Sequence, residues 1–328
     1  QAPLPGPRPA IPALQWTPQA SARLAAWAQK GISPSALNTL INCKRNFFYQ
    51  YLLRLSEPSE VQEEMASSTF GSVVHQVLED GLKLFLDKPL QQEHLSSLKK
   101  DVQRLLPIAI KKHFNSDMVR QGENYLQVTM AEATLKKILT SEMTELHPDS
   151  QRVIRHLELN LSHTFITGGR IDPIRLNGMA DRIERDGEEV IITDYKTGNV
   201  TSSELSLPAD WDEKVTSGKA SKALQLLVYA AMALETLDVN GNKKETDGQP
   251  LLYVRAGVRS GKNARAGLLE LKIDKQSGVD TRQAKELLRW ISQSLDTLHD
   301  DTPSVEHKAE AAYCSYCTVL DPLPQFNF

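Results

Sequence analysis

Cysteine is scarce: only three occur among 328 residues. So few cannot build a disulfide framework, and they point to a reducing, cytoplasmic setting. Long apolar runs are missing as well. No stretch approaches the roughly 18 residues a membrane span requires, so no membrane partner is expected. Gln1 to Pro12 is rich in proline and lacks the charged-then-apolar order of a signal peptide. Beyond that segment there is no low-complexity tract, and no internal repeat is visible. Charge of one sign is also lacking. The formal net charge of −3 decides neither for nor against a polyanionic partner, because binding depends on where the charge lies. What remains is a chain with 40% hydrophobic and 24% charged residues, which suits a globular protein with a real core. It begins with Gln rather than Met, which reads either as a fragment, the terminal module of a longer polypeptide, or as a short protein trimmed at its start.

The pattern along the chain falls into blocks. Residues 1–30 read as a Pro-rich linker followed by a short Ala-rich helix from Ala20 to Lys30. Ser33-Pro34 is a helix start, with Ser at the N-cap and Pro at the first helical position. One helix is expected from there through Leu37, Leu40, Phe47, Phe48 and Leu52. Further helices are expected near 69–86, 95–115 and 123–146, so that 31–150 is mainly helical. From Arg152 the period changes. His156 to Leu161 alternates as a half-buried strand does, and Arg175 to Glu184 reads as a second strand. An Asp186-Gly187 turn signal separates it from Val190 to Lys196, an apolar run that ends in polar residues. A helix at 222–237, strands at 251–258 and 267–273, and a helix at 281–298 complete an α/β core over 151–300. The tail, 301–328, carries Cys314 and Cys317.

Asp194 and Lys196 are two residues apart, so a strand points both side chains to one face. Two antiparallel strands joined at the Asp-Gly turn would bring Asp181 close to Asp194. Paired carboxylates repel, and a divalent cation held by hard oxygen ligands relieves that repulsion. A lysine beside such a site is equipped to orient a water or to neutralise charge developing on a phosphoryl group. The alternative is a surface hairpin whose Asp and Lys form exposed ion pairs.

Gly178-Met179-Ala180-Asp181-Arg182-Ile183-Glu184, then Asp194-Tyr195-Lys196-Thr197-Gly198, then Gln225 to Tyr229 resemble the successive motifs of the PD-(D/E)XK nuclease superfamily. More narrowly, they resemble its RecB/AddB-type branch. Phe70-Gly71-Ser72-Val73-Val74-His75 matches that branch's upstream helix with its metal-binding histidine, and Ser33 to Tyr49 resembles its entry segment. The resemblance covers roughly residues 33–320 and implies one nuclease domain over 31–328. Its expected fold is α/β (α+β): a restriction-endonuclease-like core, a central mixed sheet flanked by helices, with an inserted or N-terminal helical block. It implies His75, Asp181, Asp194 and the Tyr195 backbone carbonyl as ligands of Mg²⁺ or Mn²⁺, and Lys196 as the catalytic lysine. Gln225 and Tyr229, one helical turn apart, would stand beside the site and hold the DNA strand or Lys196. Glu158 is a weaker candidate, since an exposed strand position explains it equally well.

Many AddB-like and CRISPR-associated relatives hold an iron–sulfur cluster with four cysteines, one in the entry helix and three in the tail. Here Cys43, Cys314 and Cys317 match three positions, and Leu323 stands at the fourth. Because such clusters ordinarily require four ligands, the reading is a degenerate motif without the cluster, whose tail still packs on the entry helix. Zinc held by the three cysteines and a histidine such as His307 is the alternative. Basic residues mark where nucleic acid would lie: Arg255, Arg259 and Lys262 near the last two strands, and Lys219 and Lys222 before the Gln225 helix. They would touch phosphates without reading sequence. The resemblance thus implies a metal-dependent exonuclease acting on DNA single strands or ends, coupled to a helicase in recombination or repair. The competing reading is a catalytically inactive DNA-binding or scaffold domain of the same fold.

Overall fold

A computed structural model describes residues 16–56, 65–114, 122–245, 249–300, 305 and 314. The chain enters through α1 (Pro18–Lys30) and α2 (Pro34–Asn42). Ser33 caps α2 as expected, its hydroxyl accepting from Ala36 N–H at 3.2 Å. The single helix expected through Leu52 is broken. Cys43 is extended (φ −159°, ψ 111°), a short α3 (Lys44–Phe47) follows, and Phe48–Leu52 forms a π-turn. The Cys43 thiol caps α3, with Asn46 N–H directed at its sulfur at 3.4 Å. The strand-like segment before α2 is tied to the sheet: Ile32 N–H donates to Arg175 O, and Ile32 O accepts from Asn177 N–H.

A helical block follows, made of α4 (Ser67–Leu82), α5 (Gln92–His113) and α6 (Gly122–Glu145). Their apolar stripes close on one another around Val74, Leu78, Leu95, Val102, Leu135 and Leu139, all fully or almost fully buried.

The main sheet begins with β1 (Val153–Phe165), β2 (Ile174–Asp186) and β3 (Glu189–Lys196), which run antiparallel in sequence order. The expected turn is present: Asp186 pairs with Glu189, and Gly187 between them takes φ +63°, a conformation glycine adopts without Cβ strain. After β3 come β4 (Ser206–Leu207), α7 (Asp212–Thr216) and α8 (Ser221–Thr236). The chain then returns as β5 (Tyr253–Ser260), parallel to β3, as a crossover through a helix requires. Helix α8 is apolar on nearly every side because it is covered on nearly every side; Ala223 to Leu234 are buried except at Gln225. The strand expected at 267–273 divides. β6 (Leu268–Glu270) pairs with β5, whereas β7 (Lys272–Ile273) joins β4 and β8 (Gln276–Ser277) in a second small sheet. β9 (Val279–Asp280) pairs with β5, and α9 (Thr281–Asp300) packs beside α8.

The architecture is therefore a central mixed sheet flanked by helices, with the helical block on one face and α8 and α9 on the other. The two faces of β3 divide the cores: Val190 and Ile192 pack with α8, while Tyr195 joins the helical block. No helix among the described residues is long and apolar enough to cross a membrane. Of the tail, Cys314 lies buried against Cys43, and Val305 O accepts from Arg45 Nε at 3.2 Å. Cys317, His307 and Leu323 lie outside the described residues, as does the Pro-rich start.

Candidate active site

The register of β2 and β3 pairs Arg182 with Thr193, so the next position along sets Asp181 opposite Asp194. Both carboxylates are almost completely buried. Asp181 Oδ2 accepts from the Tyr195 backbone N–H at 2.6 Å, and His75 of α4 brings its Nδ1 within 3.6 Å of Asp181 Oδ1. The other imidazole nitrogen, Nε2, lies 2.9 Å from the Tyr195 carbonyl. A neutral imidazole donating there keeps its Nδ1 lone pair turned toward the carboxylates, the arrangement by which a backbone carbonyl orients a metal-ligating histidine.

Glu158 completes this group. Its carboxylate is 3.9 Å from His75 Nδ1, and its backbone sits at φ +46°, in the left-handed region inside a strand. Such a conformation is costly for a non-glycine residue and persists only where its surroundings impose it. One ligand atom each from His75, Glu158 and Asp181 lies within 4.8 Å of the others. An imidazole and two carboxylates in that space fit a divalent cation. The electrostatics agree. Burial and the Asp194 charge push the Asp181 carboxyl up to about 7. Burial depresses the His75 imidazole, but the Glu158 carboxylate and the charges of Asp181 and Asp194 outweigh it and raise it to about 9. These acids demand positive charge among them, from a proton or from a cation.

Asp194 stands at the edge of this group, facing α8. Its Oδ1 accepts from Gln225 Nε2 at 3.0 Å. Its Oδ2 is 2.8 Å from Lys196 Nζ but out of hydrogen-bond alignment, and it has no other partner among the described residues. A buried carboxylate oxygen with an unfilled lone pair is a place for a cation to bind. Gln225 Nε2 also donates to the Tyr229 hydroxyl at 2.9 Å. Gly178 explains the start of the second-strand motif: a Cβ there would stand 2.6 Å from Tyr229 Cε1.

Beneath the site lies a buried charge network that sequence reasoning missed. Arg182, fully buried, donates to Glu142 of α6, to Glu184 at 2.6 Å and to the Tyr195 hydroxyl at 2.8 Å. Tyr195 is thereby held at its ring, while its backbone serves Asp181 and His75. The only sequence signal for Glu142 was an acid at a core position of an amphipathic helix.

The contacts of the other expected residues are these. The Tyr195 carbonyl, expected on the metal, lies 2.9 Å from His75 Nε2 and has a second lone pair. Gln225, expected to stand beside the site and hold DNA or Lys196, is beside the site with its amide nitrogen on Asp194 and Tyr229. Arg259, expected at the nucleic acid, is buried, with its guanidinium on Glu145 at 3.0 Å and near Glu142 at 3.9 Å, so it cannot meet a phosphate. Arg255 is engaged by Glu189 and Glu270, and Lys222 by Glu204. Lys219 and Lys262 are exposed.

Residues 31–321 match the PD-(D/E)XK nuclease superfamily, and the chain belongs to that family, whose members are nucleases that use divalent metals. An uncharacterized protein of Rickettsia bellii (strain RML369-C) is similar, 27% identical over 184 residues. The match takes in 54% of this chain and 20% of that protein, so the chain spans about a fifth of that relative's length.

Proposed function

We propose that this chain is a Mg²⁺- or Mn²⁺-dependent deoxyribonuclease, an exonuclease working on single strands or DNA ends. The observation that carries this reading is the gathering of His75, Glu158 and Asp181 ligand atoms within 4.8 Å of one another, with buried Asp194 across the β2–β3 pair from Asp181 and the partly exposed Lys196 beside Asp194. A purely structural hairpin has no use for two buried carboxylates facing each other.

His75, Asp181 and Asp194 would hold the cation, and Glu158 joins them as a fourth candidate. When bound, the cation supplies charge to a phosphoryl oxygen and makes a water more acidic. Lys196 donates its N–H groups to the attacking water or to a non-bridging phosphoryl oxygen, neutralising charge that grows as the phosphorus becomes five-coordinate. Gln225 keeps Asp194 from swinging away, with Tyr229 fixing the amide of Gln225. His75, its N–H held by Tyr195, stays aimed at the site. The RecB/AddB-type motif order supports assignment to that branch, and with it a role in repair or recombination beside a helicase. The inactive-scaffold reading is less suited to a site in which every charged group of the motif is present.

The test is cleavage of end-labelled single- and double-stranded DNA with Mg²⁺ or Mn²⁺, beside Asp194→Ala and Lys196→Ala. Metal-dependent cleavage that falls at least about a hundredfold in both variants is expected, in the range seen when one charge-stabilising group is removed. Intact DNA binding without cleavage by the parent, or full cleavage by both variants, would overturn the enzyme.

A further inference from the structure

A cavity of about 1070 Å³ opens between α6 and the segment that links β5 to β6, floored by the sheet at Ile191. We propose that this groove binds the sugar–phosphate backbone of a single-stranded nucleic acid running to or from the candidate active centre. The proposal rests on the nuclease reading and adds to it a path for the strand.

The charge balance of the lining carries the argument. Most of its ionic groups are already paired: Arg255 with Glu189 and Glu270, Arg152 with Asp186, Lys136 with Glu132, and Glu145 with Arg259. Three cations are left over. Lys137 on α6, and Lys262 and Arg265 on the opposite wall, are exposed and have no ion-pair partner among the described residues. Two walls that each present uncompensated positive charge across one groove fit a polyanion lying between them. The lining contains no aromatic side chain, but it does contain the hydroxyl groups of Thr140, Ser141 and Thr144. That inventory suits phosphates and sugars, not stacked bases. A cavity of about 1070 Å³ has room for a few nucleotides of one strand and not for a stretch of duplex, whose two strands double the bulk.

The groove is also wired to the site. Ser260 pairs with Lys196 across β3 and β5, Gly261 N–H donates to Lys196 O at 2.7 Å, and the Ser260 hydroxyl donates to Gly198 O at 2.7 Å. Lys262 lies two residues past Ser260, so its backbone is within about 7 Å of that pair by chain length alone. A strand contacting Lys262 therefore lies near the end of β3 that carries Lys196, and has to pass around that end to reach the Lys196 side chain, which shares a face with Asp194 and not with Ile191.

The experiment measures anisotropy of a labelled oligothymidylate in EDTA, where binding proceeds without cleavage, across a range of NaCl concentrations. The wild type is compared with Lys137→Ala/Lys262→Ala/Arg265→Ala. Each phosphate contact to a single strand contributes about 0.7 to the slope of log affinity against log salt, so loss of three lowers its magnitude by about 2. Melting by circular dichroism should not change, because all three side chains are exposed. An unchanged slope, no binding by the wild type, or equal displacement by single-stranded and duplex competitors overturns the proposal. Wild-type binding that depends on the three cations, without cleavage in Mn²⁺, sinks the nuclease reading and leaves the groove standing. Cleavage with an unchanged slope does the reverse.

Discussion

At the scale of single residues, the site depends on contacts that place Asp194. Gln225→Leu keeps the volume but removes the one donor aligned on Asp194 Oδ1 among the described residues. A group that orients a metal ligand typically accounts for 10- to 100-fold in metal affinity or activity. Isothermal titration with Mn²⁺ should therefore show Kd rising by roughly that factor, and an unchanged Kd would remove Gln225 from the site. Gly178→Ala tests the same contact from the other side. The added methyl would meet the Tyr229 ring at 2.6 Å, and overpacking of this kind costs about 1–3 kcal/mol. Urea denaturation should read that loss, with cleavage reduced because Tyr229 no longer braces Gln225. Stability and activity equal to wild type would mean that the ring yields freely. At this scale the sequence was informative about identity and silent about partners. His75, Asp181, Asp194 and Lys196 could be named from their motifs. That Glu158 faces His75 could not, since its side chain is aimed by a left-handed backbone angle that no local pattern reveals.

At the scale of elements, one ion network joins α6 to β2 and β3. Glu142 is fully buried, and although burial opposes its charge, Arg182 and Arg259 hold its carboxyl at about 2, below the ordinary 4.5. The sign follows from linkage. A depressed folded-state value gives stability that is present above about pH 4.5 and lost as pH falls toward 2. Acid titration of the melting temperature should show this decline in the wild type. Removing one partner from a buried charge pair costs about 3–5 kcal/mol, so Glu142→Gln should melt lower at neutral pH and lose less stability below pH 4.5. Parallel acid profiles for the two proteins would exclude Glu142 as the source. The elements themselves were largely legible. Helices at 69–86, 95–115 and 123–146 and the strand ending at Lys196 follow from apolar periods of 3.6 and 2. The break at Cys43 was not, because the apolar stripe continues across it and only the cap geometry interrupts the helix.

At the scale of the whole molecule, α4, β1, β2, β3 and α8 each supply one or more groups to a single spot near the carboxyl end of β3. If that spot holds a cation, folding and metal binding are linked. A ligand at 100 times its Kd stabilises the folded state by about 2.7 kcal/mol. Thermal unfolding with saturating Mn²⁺ should shift upward, and the shift should vanish in Asp181→Asn; an equal shift in that variant would place the metal elsewhere. The sequence by itself determined which residue types recur in which order, and so the family, the mixed sheet and the acids with their lysine. Those features are local, carried by motifs of a few residues and by the periods of strand and helix. Only the tertiary structure decided that Gln225 holds Asp194, that Arg259 is buried against Glu145, and that Lys137 faces Lys262 and Arg265 across a groove. Each of those pairs is separated by tens to more than a hundred residues of chain, and a contact across such a distance exists only after the sheet and helices have packed.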